Sequence, residues 1–298
     1  MITVFGSTNL DQVGTVSRLP RPGETVAGGT FSMAAGGKGA NQALAARRAG
    51  GSVRHVSAVG QDAFADLALA LLRQDGVDLS AVKTVDEPTG IAMIFVDSHG
   101  ENVIAVLPGA NGTVSPADAE EALSAVSGGV LLVQQEIPQA ATERALELAR
   151  EKGMTAILNT APFLETTAAV AAKADIVIAN EIEFALLSGC ADDQIERAML
   201  DWAKTEQQTI IVTLGGAGAR AVTAEGKVIV VPALPIAPVD TVGAGDTFCG
   251  YLAAGLDAGL DLEAAMRRAA TAASLACLKP GAQPAIPYTA EVDAAATR

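Results

Sequence analysis

The second half of the chain alternates short, continuously apolar runs with longer amphipathic runs. The amphipathic run at 138–153 ends at a glycine, which is typical of a helix and its C-terminal cap. Two more helices are predicted at about 245–259 and 261–277, where alanine is abundant. The apolar runs predict strands at 130–136, 154–160, 175–183 (running on into a helix), 209–216 and 228–234. Apolar strands separated by helices predict an α/β fold with a parallel sheet covered on both faces.

The first third of the chain has a different pattern. The segment "MITVFGS" predicts one short strand, and residues 12–34, with their prolines and glycines, are expected to be extended. Over 89–108 apolar and polar residues alternate around a turn at "SHGEN", which predicts a β-hairpin. Neither segment fits the parallel sheet. We therefore predict one domain over 1–298, with a small β-sheet lid formed by about 12–34 and 89–108.

Charge and composition restrict the partners. The formal net charge of -14 disfavours nucleic acid and anionic membrane surfaces. No apolar run reaches the roughly 18 residues of a membrane-spanning helix, and no signal peptide is expected at the N-terminus. Three isolated cysteines, Cys190, Cys249 and Cys277, fit a reducing compartment. We expect a cytoplasmic protein. If it binds phosphate, the acidic net charge requires that it do so locally, with backbone N–H groups and a few basic side chains.

Polar residues follow several predicted strands, at the edge where open α/β sheets bind ligands. These residues are Asn9 and Asp11, Glu136, Asn180 and Glu183, and Thr213 with "GGAG" at 215–218. Each of them alone could be a helix cap or a turn residue. Together they predict a binding site at this edge.

Two glycine-rich segments precede predicted helices, namely "AAGGKGANQALAARRAG" (34–50) and "DTVGAGDTFCGYLAAGL" (240–256). Glycine lets a backbone approach a ligand closely, although close helix packing is an alternative for the first segment. The chain has no GxxxxGK[ST] phosphate loop. Its two histidines are His55, in a further predicted apolar strand, and His99, in the turn of the hairpin. Neither has a nucleophile signature nearby, which argues against histidine-based hydrolysis.

The second glycine-rich segment predicts an anion site with a carboxylate beside it. If "GAG" (243–245) begins a helix, its free N–H groups and the helix dipole attract an anion. Asp246 then lies in the first turn, where it can accept a proton from a hydroxyl that attacks phosphorus. The alternative is an acidic residue that only stabilises its helix. The segment favours phosphoryl transfer to an alcohol.

Together, the two glycine-rich segments closely resemble the two signatures of the ribokinase-like sugar kinases, also called the phosphofructokinase-B family. The resemblance covers essentially the whole chain and includes "GSTNLD", "PGAN", "ANEIE", "VTLGGAGA" and "KPGAQPAIP". It implies a three-layer α/β/α sandwich with a mostly parallel central sheet and a small β-sheet lid. It also implies an ATP-dependent sugar kinase whose lid pairs with that of a second subunit in a homodimer.

The resemblance assigns roles to matching positions. Asp246 is implied to be the catalytic base, and the backbone of Gly243, Ala244 and Gly245 the anion hole. The implied sugar-binding residues are Asn9, Asp11, Gly37, Lys38, Gly39, Asn41, Glu136 and Asp246, with Lys38 placed to meet a phosphate. The implied nucleotide-binding residues are Asn180, Glu183, Thr213, Gly215, Gly216, Gly218 and Gly245.

The resemblance also implies two cations. Mg²⁺ is expected at Glu183, largely through water. A monovalent cation, K⁺, is expected at oxygens, mostly backbone, of Asp240, Val242, Ala276, Lys279, Gly281 and Ala285. Ala285 replaces a serine that is common in the family, so weaker K⁺ activation is expected. Ala270 replaces an often polar residue near the adenine site, so mostly apolar contacts to the base are expected.

The expected reaction converts D-ribose and ATP to D-ribose 5-phosphate and ADP. Alternatives within the class are deoxyribose or another pentose, a ketose, 2-keto-3-deoxygluconate, or a nucleoside such as adenosine. A nucleoside would need an aromatic surface, and the lid segments offer few aromatic residues, Phe31 and Phe95. Alternatives from other classes are a sugar-binding regulator without catalysis and a nicotinamide-dependent oxidoreductase. The oxidoreductase would need an acid after the second strand of its fingerprint, which this sequence lacks.

Overall fold

A computed structural model describes residues 1–296. Its strands are β1 (Ile2–Phe5), β2 (Asn9–Val16), β3 (Gly28–Gly36), β4 (Val53–Gly60), β5 (Asp78–Val85), β6 (Gly90–Val96), β7 (Asn102–Leu107), β8 (Val130–Val133), β9 (Thr155–Asn159), β10 (Ile176–Asn180), β11 (Thr209–Thr213), β12 (Ala219–Val222) and β13 (Val228–Val231). Its helices are α1 (Lys38–Arg48), α2 (Ala63–Ala68), α3 (Ala70–Gln74), α4 (Pro116–Leu123), α5 (Gln139–Glu151), α6 (Thr167–Ala171), α7 (Glu181–Ser188), α8 (Ile195–Glu206), α9 (Ala244–Asp257), α10 (Leu262–Ala276) and α11 (Thr289–Ala296). Short 3₁₀ segments lie at Gly109–Thr113, Asp192–Gln194, Gly215–Ala217 and Gln283–Ala285.

The large sheet has the strand order β13-β12-β11-β10-β9-β8-β1-β4-β5. The strands from β11 to β5 in this order run parallel, and β12 and β13 add antiparallel pairs at one edge. Parallel strands need crossover connections, and the helices supply them. The predicted α/β fold with a mostly parallel sheet is confirmed.

Both faces of this sheet are buried, which explains why its strands are continuously apolar. In β8, Val130 and Leu132 belong to one hydrophobic cluster, and Leu131 and Val133 belong to another. Helices α1, α9 and α10 cover the first face, and α4, α5 and α8 cover the second. The result is a three-layer α/β/α sandwich.

The small sheet has the order β3-β2-β6-β7, with β2 and β6 parallel and the other neighbours antiparallel. Its strands overlap the predicted segments 12–34 and 89–108. Several of its large apolar side chains are exposed, among them Phe31, Val103 and Ile104. That this sheet closes as a lid remains a prediction.

Two strands of the large sheet were missing from the prediction. Strand β5 lies at the sheet edge and is only partly buried, and β12 has four residues. His55, in β4, is fully buried, and its Nε2 lies 2.9 Å from Oγ1 of Thr8. Burial lowers the pKa of His55 to about 4, so the ring is neutral near pH 7. Within residues 1–296, no helix is both long and apolar enough to cross a membrane.

Candidate active site

Helix α9 begins where the chain turns at Gly243. This residue has a φ of 75°, in the left-handed region that favours glycine, and a Cβ there would lie 2.9 Å from the Cβ of Ala282. The first N–H groups of a helix have no helical acceptor. Here the N–H of Ala244 makes only a long 3.3 Å bond to the carbonyl oxygen of Thr241. The predicted anion hole is therefore a helix N-terminus, whose dipole and N–H groups attract an anion.

The Asp246 carboxylate lies in the first turn of α9 and is only 8% exposed. Side-chain amides hold both of its oxygens. Asn41 Nδ2 donates to Oδ2 at 2.9 Å, and Gln42 Nε2 donates to Oδ1 at 2.9 Å. Both donors lie close to the start of α1, so the N-terminal parts of two helices meet at this carboxylate. An acid that only stabilised its own helix would need neither partner.

Glycines bring the start of α1 against the chain that links β1 to β2. Gly37 has a φ of 87°, and a Cβ on it would lie 2.7 Å from the backbone nitrogen of Asn9. A Cβ on Gly39 would lie 2.5 Å from the backbone nitrogen of Ser7. Contacts this short exclude any side chain at either position. The first glycine-rich segment thus places the first turn of α1 directly beside Ser7 and Asn9.

Glu136 and Lys38 join the end of β8 to the same helix. Glu136 Oε2 accepts hydrogen bonds from Ser7 Oγ at 2.6 Å and from the Lys38 backbone N–H at 3.0 Å. Burial lowers the pKa of the Lys38 ammonium, but the carboxylates of Asp246, Glu136 and Glu183 outweigh burial and raise the pKa above its usual value. Lys38 is therefore charged at neutral pH. Among residues 1–296, no side chain forms a hydrogen bond or ion pair with the ammonium group.

Asp11, in β2, is a further carboxyl near those of Glu136 and Asp246. A Cβ on Gly36 would lie 2.2 Å from Asp11 Oδ2, so the glycine makes room for the carboxyl. Burial raises the pKa of Asp11 to about 7, helped by the charges of Glu136 and Asp246 and opposed by Lys38. Asp11 therefore titrates near neutral pH.

Asn9 is buried and its orientation is fixed. Its Oδ1 accepts a hydrogen bond from Asn111 Nδ2 at 2.7 Å. Asn111 in turn accepts the backbone N–H of Thr8 at 2.9 Å and donates to the Thr8 carbonyl oxygen at 3.1 Å. A single buried amide thus fixes the point where the chain passes from the large sheet to the small one.

A cavity of about 320 Å³ opens beside the N-terminus of α9. Its lining includes the predicted nucleotide residues Thr213, Gly215, Gly216 and Gly218, together with Ala244, Gly245 and Ala270. Leu234, Pro235, Ile236 and Ala273 form an apolar part of the wall. Pockets of this size and character suit a small organic ligand. The structure thus brings the predicted nucleotide loop and the predicted anion hole to one cavity.

Asn180 and Glu183 do not line this cavity. They form a capping box at the start of α7, in which Asn180 Oδ1 accepts the N–H of Glu183 at 2.8 Å. Glu183 Oε2 accepts the N–H of Asn180 at 3.1 Å and Thr160 Oγ1 at 2.9 Å. The cap interpretation therefore describes their contacts in this structure, and a role with phosphate or Mg²⁺ remains a prediction.

The Asp240 side chain ties together the two loops of the predicted cation site. Its Oδ1 accepts the N–H of Val242 at 3.0 Å, and its Oδ2 accepts the N–H of Gly281 at 2.8 Å. The Lys279 ammonium points to Glu291 at 3.0 Å, which leaves only its backbone carbonyl for a cation. Ala285 is fully buried. Within residues 1–296 no cluster of three His, Cys, Asp or Glu side chains could hold a metal, so a cation here would rely on backbone carbonyls.

Sequence reasoning missed four buried amides around the candidate site: Gln42, Asn111, Gln134 and Asn159. Gln42 and Asn111 lie inside motifs that were recognised, and polarity inside an otherwise apolar helix could have singled out Gln42. Gln134 directly follows β8 and Asn159 ends β9, where ligand-binding polar residues were expected.

The family model described as pfkB family carbohydrate kinase matches residues 1–289. The chain is 34% identical to the ribokinase of Haemophilus influenzae, over 97% of this chain and 96% of that protein. It is 35% identical to the deoxyribokinase of Salmonella typhimurium, over 96% of this chain and 95% of that protein. It is 38% identical to a bifunctional ribokinase/ribose-5-phosphate isomerase A of Fructilactobacillus sanfranciscensis, over 96% of this chain but only 54% of that longer protein.

Solved structures agree with these matches. The ribokinase of Thermotoga maritima superimposes with a TM-score of 0.90 at 31% identity, covering 100% of this chain and 99% of that one. The ribokinase of Arabidopsis thaliana, complexed with ribose and ATP, superimposes with a TM-score of 0.88 at 32% identity. The match covers 98% of this chain and 97% of that one.

Proposed function

Because the chain belongs to the pfkB family of carbohydrate kinases, we propose that it converts D-ribose and ATP to D-ribose 5-phosphate and ADP. The family makes the protein a phosphotransferase with an alcohol group as acceptor. One observation carries the proposal. The buried Asp246 carboxylate accepts a hydrogen bond from Asn41, a sugar-binding candidate, and directly follows Ala244 and Gly245, which line the nucleotide cavity at a helix N-terminus that attracts phosphate.

In this proposal Asp246 accepts the proton of the sugar hydroxyl as its oxygen attacks the γ-phosphorus of ATP. The bond to the β-phosphate oxygen breaks and ADP leaves. The N–H groups of Gly243, Ala244 and Gly245 stabilise the negative charge on the transferred phosphoryl oxygens. The Lys38 ammonium adds a point charge from the sugar side, since it stays protonated and has no side-chain partner among residues 1–296.

The sugar site combines fixed acceptors and donors. Asn41 Oδ1 is buried without a hydrogen-bond partner among residues 1–296, which suits an incoming hydroxyl. Asn9, Asp11 and Glu136 supply further polar groups, and the backbone of Gly37 and Gly39 lies close enough to contact a ligand. Ribose and deoxyribose differ by one hydroxyl, and relatives named for each are about equally similar to this chain. Deoxyribose is therefore the second candidate substrate.

The two cations belong to the proposal as well. Glu183 Oε2 is used in the helix cap, so Mg²⁺ held by ATP would meet Glu183 through water, as expected from the sequence. Backbone carbonyls around the Asp240 bridge are oxygen donors that suit K⁺, and Ala285 contributes no side-chain oxygen. Bound K⁺ would supply positive charge close to the anion hole.

The small sheet is proposed to be a lid and a dimer contact. Its exposed apolar residues would be covered in a homodimer. Closure would exclude water and so limit hydrolysis of ATP. The expected location remains the cytoplasm.

The first test is ADP release in a coupled assay with Mg-ATP and K⁺. D-ribose, 2-deoxyribose, fructose, 2-keto-3-deoxygluconate and adenosine are compared, and D-ribose is expected to be preferred. Asp246→Asn is expected to bind sugar and nucleotide but to lose turnover by about 10²–10⁴-fold, the usual contribution of a general base. A preference for deoxyribose would mean that deoxyribose, not ribose, is the substrate, and the proposed mechanism would stand unchanged. Unchanged turnover in Asp246→Asn would remove the base assignment, and no turnover with any sugar would favour the non-catalytic regulator.

A further inference from the structure

Behind the Asp246 carboxylate lies a buried network of amide side chains. Gln42 is fully buried, and its Nε2 donates to Asp246 Oδ1 at 2.9 Å and to Asn159 Oδ1 at 3.1 Å. Gln134, just after β8, donates from Nε2 to Gln42 Oε1 at 2.6 Å. Gln42 is therefore held by three elements of the large sheet and its helices, and its own orientation is fixed.

The two oxygens of Asp246 have different surroundings. Oδ1 is bound by Gln42, which is supported from behind. Oδ2 is bound by Asn41, whose own Oδ1 is buried without a partner among residues 1–296. Asn41 is thus the amide that still has capacity for a substrate hydroxyl, and Oδ2 is the carboxylate oxygen beside it.

A carboxylate needs such support to act reproducibly. The terminal torsion of an aspartate is broad and nearly two-fold, so one hydrogen bond leaves the carboxylate free to rotate about it. Two donors on opposite oxygens define its plane. Small errors in the position of a reacting group lower rates sharply, because the reaction needs a near-attack geometry.

We propose that Gln42 is a positioning residue, which anchors Asp246 Oδ1 so that Oδ2 faces the sugar hydroxyl and receives its proton. Gln134 and Asn159 support Gln42 in this role. The inference rests on the proposed function, since it assigns Asp246 as the base.

The alternative is a purely structural role, in which Gln42 only satisfies buried polar groups. The two roles differ in what they change. Loss of a structural hydrogen bond lowers stability and leaves the catalytic rate of the folded enzyme intact. Loss of positioning lowers kcat while the KM values for sugar and ATP, set mainly by other contacts, change little.

Gln42→Met keeps the size of the side chain and removes both hydrogen-bonding functions. We expect kcat to fall by about 10- to 100-fold, with both KM values within about twofold. The matched control is Gln208→Leu, a buried amide that donates to the Ala171 carbonyl oxygen at 2.7 Å. Gln208 directly precedes β11, so it lies at the amino end of that strand, whereas the site lies at the carboxyl ends of the strands. The control should lose stability but keep kcat. Gln134→Met, which removes only the support, should lower kcat by about threefold to tenfold.

The Gln42→Glu variant adds a second measurement, the pH dependence of its activity. A purely structural role of Gln42 predicts no change in this dependence. Of the groups that hydrogen-bond Gln42, only Asp246 on α9 is an acid, whereas Gln134 and Asn159 are neutral amides. Asp11 and Lys38 interact electrostatically with Asp246, and they are the same in the variant and in the unchanged chain. The introduced carboxyl can donate to Asp246 only when protonated. The activity of this variant relative to the unchanged chain is therefore expected to rise as pH falls from 8 to 6.

The outcomes separate the two hypotheses. A kcat loss in Gln42→Met and Gln134→Met but not in Gln208→Leu supports the proposal. An unchanged kcat in folded Gln42→Met, or equal losses in Gln42→Met and Gln208→Leu, overturns it. If Gln42→Met does not fold, the kcat of Gln134→Met and the pH dependence of Gln42→Glu decide instead. A lower kcat in Gln134→Met and a rise in the relative activity of Gln42→Glu toward pH 6 support the proposal, and the absence of both overturns it. Absence of turnover in the unchanged chain, by contrast, would count against the proposed function itself.

Discussion

The carboxyl of Asp11 gives a prediction about sugar binding and pH. Its pKa lies at about 7, because burial and the neighbouring charges of Glu136 and Asp246 disfavour ionisation more than Lys38 favours it. Sugar hydroxyls donate hydrogen bonds best to an ionised carboxylate. Sugar binding should therefore require Asp11 to lose its proton, and affinity should rise as pH rises through 7.

The magnitude follows from proton linkage. If only the ionised form binds, the apparent Kd is multiplied by 1 + 10^(pKa − pH). With a pKa of about 7, Kd at pH 6 is about 11-fold above its high-pH limit, and at pH 7 about twofold above it. Binding at pH 6 should release about 0.9 of a proton per site.

Isothermal titration of D-ribose into the protein without ATP, between pH 5.5 and 8.5, measures this directly. Two buffers with different ionisation enthalpies at each pH give the number of protons released. Asp11→Asn should bind more weakly at high pH and lose the dependence. Asp246→Asn should shift the dependence to lower pH, because one of the negative charges that raise the pKa of Asp11 is gone. A flat affinity, an affinity that falls as pH rises, or a dependence that survives in Asp11→Asn would refute the reasoning.

Three further predictions concern stability and helix packing. Because the pKa of Asp11 is raised on folding from 3.8, its contribution to stability is present below pH 4 and is lost as pH rises to about 7. Asp11→Asn should therefore gain stability over the unchanged chain toward pH 8, by on the order of 4 kcal/mol in urea titrations. Arg48→Met removes a buried guanidinium that pairs with Asp75 at 2.6 Å and donates to the Ile286 carbonyl oxygen at 2.7 Å, and should cost about 3–5 kcal/mol of unfolding free energy. The exposed pair of Arg73 and Asp66 is the control, since Arg73→Met should cost about 1 kcal/mol or less. A Cβ on Gly250 would lie 2.5 Å from the Gln42 carbonyl oxygen, so Gly250→Ala should push α1 away from α9 and lower both Tm and kcat. Gly255 lies on the side of α9 that faces α10, so Gly255→Ala should lower Tm alone.

Much of the site was predictable because its chemistry is local in sequence. The glycine at 243 and the acid three residues later specify a helix N-terminus with a carboxylate in its first turn, and the structure has both. The capping box of Asn180 and Glu183 was also within reach, since a cap needs only residues three positions apart.

The amide network was not predictable, because its members are far apart in the chain. Gln42 and Asp246 are 204 positions apart, and Thr8 and Asn111 are 103 positions apart. Nothing in a helix with the sequence "NQALAARR" says which amide faces a carboxylate on another helix. Strands β5 and β12 were missed for another reason, since edge position and short length remove the continuous apolar pattern that identified the central strands.

Small residues, alanine and glycine, allow α1 and α9 to pack closely where the two helices cross. A Cβ on Gly250 would lie 2.5 Å from both the Gln42 carbonyl oxygen and the Ala45 Cβ, so the two helices pack almost backbone to backbone. Asparagine and glutamine side chains are short. They can reach a carboxylate on a neighbouring helix only if the axes approach closely, which small residues at the contact allow. The small residues therefore do more than fill the core. They set the distance at which the amides of Asn41 and Gln42 meet Asp246, and through it the geometry of the proposed base.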